Sequence, residues 1–170
     1  MEFVFETHYT AKAMAVMARA LRKTLRKKHS RRSHILGWIV AAVGALLTAA
    51  NFAADLRTVV TAAAVLAIVT ALLFEDRING GSARKHMLPG TERCTTVFSP
   101  DGFTSTTEIG STQWQYDKIE AIAETADYFV FLFDMNHGQV YAKFSLTGGT
   151  VDQFRDFIET RTGMPVEFVK

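Results

Sequence analysis

Residues 35–54, ILGWIVAAVGALLTAANFAA, run for twenty positions without an ionisable side chain. As a helix this stretch rises roughly 30 Å, the thickness of a bilayer's hydrocarbon core, and so predicts a membrane-spanning helix. A second uncharged run, TVVTAAAVLAIVTALLF at 58–74, is seventeen residues long and falls at the short end of the spanning range. Asp55, Leu56 and Arg57 between them suffice to turn an antiparallel pair and are too few to form a domain. Residues 35–74 therefore read as a two-span transmembrane hairpin. A secretory signal would precede a cleavage site and a soluble chain, whereas here a second span follows at once.

The chain of 170 residues is 48% hydrophobic and 21% charged, but its apolar residues are concentrated in the hairpin, which argues against one soluble core. Charge is divided as well. Residues 1–34 carry nine Lys/Arg against two acids and residues 91–170 carry six against twelve, net +7 and −6. The basic excess before the first span, against the single Arg57 in the hairpin loop, predicts that both termini lie in the cytoplasm. The lone Cys94 excludes an internal disulfide and a Cys-based zinc cluster.

Residues 1–34 read as a short strand, from the alternation at 2–6, and a long amphipathic helix without Gly or Pro between 7 and 33. Met14, Met17, Leu21 and Leu25 form its apolar stripe. Three readings of its charge stand open. It is a topology signal; or it is a lipid-surface contact in which Arg22, Lys23, Arg26, Lys27, Lys28, Arg31 and Arg32 meet anionic head groups for about 1 kcal/mol each; or it docks on the acidic C-terminal part. Nucleic acid is not an expected partner, because the run lacks interleaved aromatics and abuts a bilayer. In the spans, Gly37, Ala41, Ala45, Ala49 and Ala53, and then Ala63, Ala67 and Ala71, recur every four residues and predict small-residue ridges for helix packing within the hairpin or a homo-oligomer. Neither span holds the ionisable groups of a transporter.

Residues 75–90 read as a linker, with a flexible break at Asn79-Gly80-Gly81-Ser82 and another at Pro89-Gly90. In residues 91–170, strands are expected at 93–98, 103–109, 112–116, 119–125, 128–133 and 139–146. Thr150 and Gln153 then form a capping box, Val151, Phe154, Phe157 and Ile158 an apolar helix face, and Gly163 with Pro165 the stop. The fold class is a membrane α+β protein whose small antiparallel sheet or barrel, pleckstrin-homology-like, is closed by one helix. Asp117, Glu120, Glu124, Asp127 and Asp134 lack the regular oxygen spacing of a cation loop and read as an acidic docking face.

Asp101-Gly102-Phe103, Trp114 followed by Ile119, Glu124-Thr125-Ala126-Asp127-Tyr128-Phe129, Lys143-Phe144 and Phe154-Arg155-Asp156-Phe157 stand in an order that resembles the YcxB-like family of bacterial membrane proteins. The resemblance spans nearly the whole chain. It implies a cytoplasmic domain anchored in the bacterial plasma membrane, and no reaction.

Catalytic signatures are missing. His8, His29, His34, His86 and His137 are not spaced as metal ligands, and there is no nucleophile elbow, P-loop or dinucleotide fingerprint. No metal or cofactor is expected. These features favour a non-enzymatic membrane-anchored adaptor or regulatory subunit that presents its β-rich domain to a protein partner or the membrane surface. The alternative is a small immunity protein against a membrane-active or envelope-targeting toxin.

Overall fold

The N-terminal alternation forms β1 (Phe3–His8), in which Phe3, Phe5 and Thr7 face inward while Glu6 and His8 face out. Its antiparallel neighbour is β2 (Arg93–Ser99), in register from Phe3 with Phe98 to His8 with Arg93. Everything between them, α1 (Ala11–Lys23), α2 (Lys27–Ala50) and α3 (Leu56–Lys85), is an insertion between two adjacent strands of one sheet. The computed structural model describes residues 2–50 and 55–169, so the end of the first apolar run and Ala53 of its small-residue ridge lie outside the described residues.

The first sheet has the order β1-β2-β3-β4, with β3 at Gly102–Thr107 and β4 at Gly110–Trp114. The second has the order β7-β6-β5-β8, with β5 at Ala121–Glu124, β6 at Tyr128–Leu132, β7 at Gly138–Ala142 and β8 at Val166–Phe168. All pairings are antiparallel except β5 with β8. The expected barrel is not closed: two four-stranded sheets face each other, and α4 (Val151–Thr162) fills the space between.

Aromatic rings make that interface. Phe154 of α4 sits 4.7 Å from Phe5, 5.0 Å from Phe98 and 5.0 Å from Phe129, ring centre to ring centre, so one side chain joins β1, β2 and β6. Edge-to-face packing of this kind adds about 0.5–1.5 kcal/mol per pair beyond area burial. The helix is placed by its ends. Thr150 and Gln153 exchange both capping-box hydrogen bonds, and Gly163 takes the left-handed conformation (φ 68°) that a side chain would resist.

The second sheet is buried on both faces, which accounts for the uninterrupted apolar run of β6. Phe129 and Phe131 point to the aromatic core; Tyr128, Val130 and Leu132 point to α1, whose Ala13, Ala20 and Leu21 cover them. The long N-terminal helix expected over 7–33 is thereby cut in two. Thr24 leaves helical geometry (φ −106°, ψ −92°) and donates its hydroxyl to Ala20 O, so α1 lies on the sheet while α2 departs from it. The divisions expected at residues 34 and 90 do not separate packing units, because β1 and α1 belong to the sheet domain.

Two further expectations fail. The break at Asn79-Gly80-Gly81-Ser82 is helical, since α3 runs on to Lys85 with one non-helical residue at Phe74 (φ −111°, ψ 16°). Residues 112–116, 119–125 and 139–146 give shorter strands, with 3-10 turns at Tyr116–Lys118 and Lys143–Ser145. The helices α2 and α3, of 24 and 30 residues, are long and apolar enough to cross a membrane.

Phe5→Ala is expected to destabilise the sheet domain by about 3–5 kcal/mol, because it empties the centre of the ring cluster. Phe144→Ala, at a side chain 83% exposed, is expected to change stability by less than about 0.5 kcal/mol. Chemical unfolding followed through Trp114, with Trp38 replaced by Phe, checks the contrast.

Candidate functional site

The alanine-rich α1 forms a middle layer with the second sheet on one side and the last turns of α3 on the other. Contact with α3 requires Gly80: a Cβ there would lie 2.4 Å from Ala15 N and 2.6 Å from Ala15 Cα, both backbone atoms that cannot swing away. Gly80 is therefore the crossing point of the two helices rather than a hinge, and the small side chains of α1 permit the approach.

Charge locks the crossing. Asp76, one turn before Gly80, accepts from Arg22 Nε at 2.7 Å and Arg22 Nη2 at 2.6 Å, and from Arg19 Nε at 3.3 Å. Its side chain is only 12% exposed, so the two-pronged Arg22 contact is a charge-assisted pair with little water around it. Glu75 lies 3.6 Å from Arg22 and pairs with His34 of α2 at 2.5 Å. At the end of α1, Arg26 reaches across to Met135 O and Asn136 Oδ1 in the β6–β7 turn, each at 2.5 Å. Helices α1, α2 and α3 and the second sheet thus meet in one charged junction.

Sequence reading missed Glu75 and Asp76, although a signal was present. An antiparallel hairpin returns to the end it left, so acids just after the second apolar run must face the basic run before the first. The basic candidates divide accordingly. Arg22 and Arg26 turn inward to protein acceptors and are withdrawn from the proposed lipid contact. Lys23 is exposed at the last turn of α1; Lys27, Lys28, Arg31 and Arg32 are exposed on α2 and form no ion pair among the described residues.

The small-residue ridges meet the facing helix only in part within the hairpin. Gly37 against Leu72 and buried Ala41 lie at the helix contact as expected, and Gly44 against Val65 continues it, whereas Ala45, Ala49, Ala63, Ala67 and Ala71 are exposed. Four residues rotate a helix about 40° past a full turn, so a strict spacing of four drifts off any straight contact line. Alternating steps of four and three, 37, 41, 44 on α2 and 65, 68, 72 on α3, stay on it.

The five acids do not make one free acidic face. Asp127 pairs with Lys12 of α1 at 2.7 Å, and Asp134 accepts from Asn136 N, His137 N and His137 Nδ1 to shape the β6–β7 turn. Asp117 and Glu120 remain exposed, the former 3.2 Å from Lys118. Glu124 is 4% exposed and points inward, where Arg155 grips it with Nε–Oε2 and Nη2–Oε1 at 2.7 Å and Lys143 Nζ adds a bond of 2.6 Å. Burial alone would raise its pKa, but the Arg155 and Lys143 contacts outweigh that and hold the carboxyl below its ordinary value. Arg155 also binds Asp152 at 2.6 Å, and Lys143 Nζ donates to Thr125 O. This cluster ties α4 to β5 and to the turn after β7.

Residues 98–158 match the family model described as YcxB-like protein. No curated protein and no solved structure matches the chain. The matched segment runs from Phe98 in β2 to Ile158 in α4 and contains the aromatic core apart from Phe3 and Phe5, together with Glu124, Lys143 and Arg155. Over that segment the chain is similar to this family, and the matched residues include a packing and charge centre shared by the sheets and α4.

Because the folded Glu124 carboxyl titrates below its unfolded value, its ionised form contributes stability at neutral pH. That contribution is lost as pH falls through the ordinary carboxylate range and then through the lower folded pKa. Glu124→Gln is expected to cost up to about 3–5 kcal/mol at pH 7, because Lys143 and Arg155 lose the buried carboxylate they share, and to flatten the acid limb of stability against pH. Unfolding midpoints measured from pH 7 to pH 3 check both.

Proposed function

We propose that this chain is a non-enzymatic, membrane-anchored adaptor or regulatory subunit, in which the hairpin sits in the bacterial plasma membrane and the sheet domain is held against the cytoplasmic surface. The observation that carries the reading is the α1 layer. Through Gly80 and Asp76 on one side and the second sheet on the other, it couples hairpin and domain into one body, as a protein that reports membrane position or assembly to a partner requires.

Other features support it. Apolar side chains along α2 and α3, among them Leu46 and Leu66, face outward, where water would penalise them and acyl chains would not. Lys27, Lys28, Arg31 and Arg32 ring the start of the first apolar run, and the positive-inside tendency assigns that end, with both termini, to the cytoplasm. We read the paired sheets with α4 between them as a pleckstrin-homology-like unit. Phe144 lies beside the Glu124 cluster on the domain's surface, an apolar side chain suited to a protein partner.

Tagged full-length chain purified from its own membranes in mild detergent is expected to bring down one protein at fixed stoichiometry, with at least tenfold less of it for Phe144→Asp. A chain that purifies alone or only with its own copies, by mass spectrometry and light scattering, contradicts the adaptor reading.

A further inference from the structure

We propose that the recess between the start of α2 and the end of β8 binds the phosphate of an anionic glycerolipid. This rests on the reading that the hairpin is inserted. One wall comes from a single face of α2, where Lys27, Ser30, Arg31 and His34 follow at spacings of three and four; the other comes from Glu167, Phe168 and Val169. Arg22 closes the end nearest α1.

Charge and position select the ligand. Arg22 is committed to Asp76, and His34 to Glu75. Among the described residues Lys27 and Arg31 form no ion pair, and Glu167 is the one acid on the wall. Among the described residues, Lys27 and Arg31 against Glu167 leave one positive charge, which matches a phosphodiester carrying a single negative charge. Ser30, 8% exposed, stands between Lys27 and Arg31 on this wall and adds a hydroxyl donor to the lining. Arg31 lies four residues, about 6 Å, below Ile35, where the uncharged run begins, which is head-group depth. Phe168, 61% exposed at the same level, offers an apolar ring to the glyceryl and upper acyl region.

The recess also separates two pairs of cations that a diffuse basic surface would treat alike. Lys27 and Arg31 line it, whereas Lys28 and Arg32, each one residue further on, are rotated about 100° around α2 and do not.

The test is native mass spectrometry of full-length protein in mild detergent, titrated with phosphatidylglycerol or phosphatidylcholine. Wild type is expected to retain one phosphatidylglycerol in preference to phosphatidylcholine. Lys27→Gln with Arg31→Gln is expected to lower that retention at least tenfold, and Lys28→Gln with Arg32→Gln less than twofold. Equal losses in the two double variants would reduce the effect to diffuse charge and overturn the site, as would equal retention of the two lipids. Displacement by glycerol 3-phosphate at the lipid's own concentration would overturn the lipid assignment in favour of a free phosphate. Alkaline carbonate extraction runs in parallel: wild-type protein released from membranes overturns the insertion reading itself, whereas protein kept in the pellet without lipid discrimination overturns only the recess.

Discussion

A backbone contact between Gly80 and Ala15 sets the relation between the two halves of this molecule. No side chain can be interposed there, and the pairing of Asp76 with Arg19 and Arg22 gives the approach a register. Because α1 has the second sheet on its other face, the long helices cannot turn relative to the sheets without breaking either the Asp76 pairs or the packing of Ala13, Ala20 and Leu21 on β6 and β7. Alanine-rich α1 is suited to this place, since a layer contacted on both sides must be thin.

The chain path follows from the same constraint. Inserting the hairpin between β1 and β2 sends two connections from the domain to the long helices, α1 on the way out and the last turns of α3 on the way back. A hairpin attached at one end would hang from a linker. Attached at both ends and crossed at Gly80, it is continuous with the core. Inside the domain Phe154 serves a comparable purpose by touching β1, β2 and β6 at once, and Arg155 beside it anchors α4 to Glu124.

Local patterns were legible in the sequence. The uncharged runs marked the long helices; the Thr150–Gln153 box and Gly163 marked α4; the apolar stretch at 128–133 marked the most buried strand. Features that depend on long-range pairing were not. Glycine at 80 and 81 signals a break by propensity, yet at a helix crossing it is the residue that lets two backbones touch, and only the partner's position decides between these. Glu124 read as one acid in an exposed group because its cations, Lys143 and Arg155, lie 19 and 31 residues away. Small residues four apart suggested straight ridges, but helical rotation carries Ala45 and Ala49 off the contact line. In each case a one-dimensional spacing was correct and its environment was supplied by another element.

The central claim, that sheet domain and hairpin form one rigid unit, is tested most directly by a spin-label distance measurement on the full-length chain in lipid nanodiscs. Labels at Arg57, where α3 begins, and at exposed Thr106 on β3 report the two halves, with Cys94 replaced by Ser. A single narrow distance distribution that broadens when Gly80 is replaced by Leu is the result the account predicts. A broad distribution in the chain with Gly80 intact would contradict it.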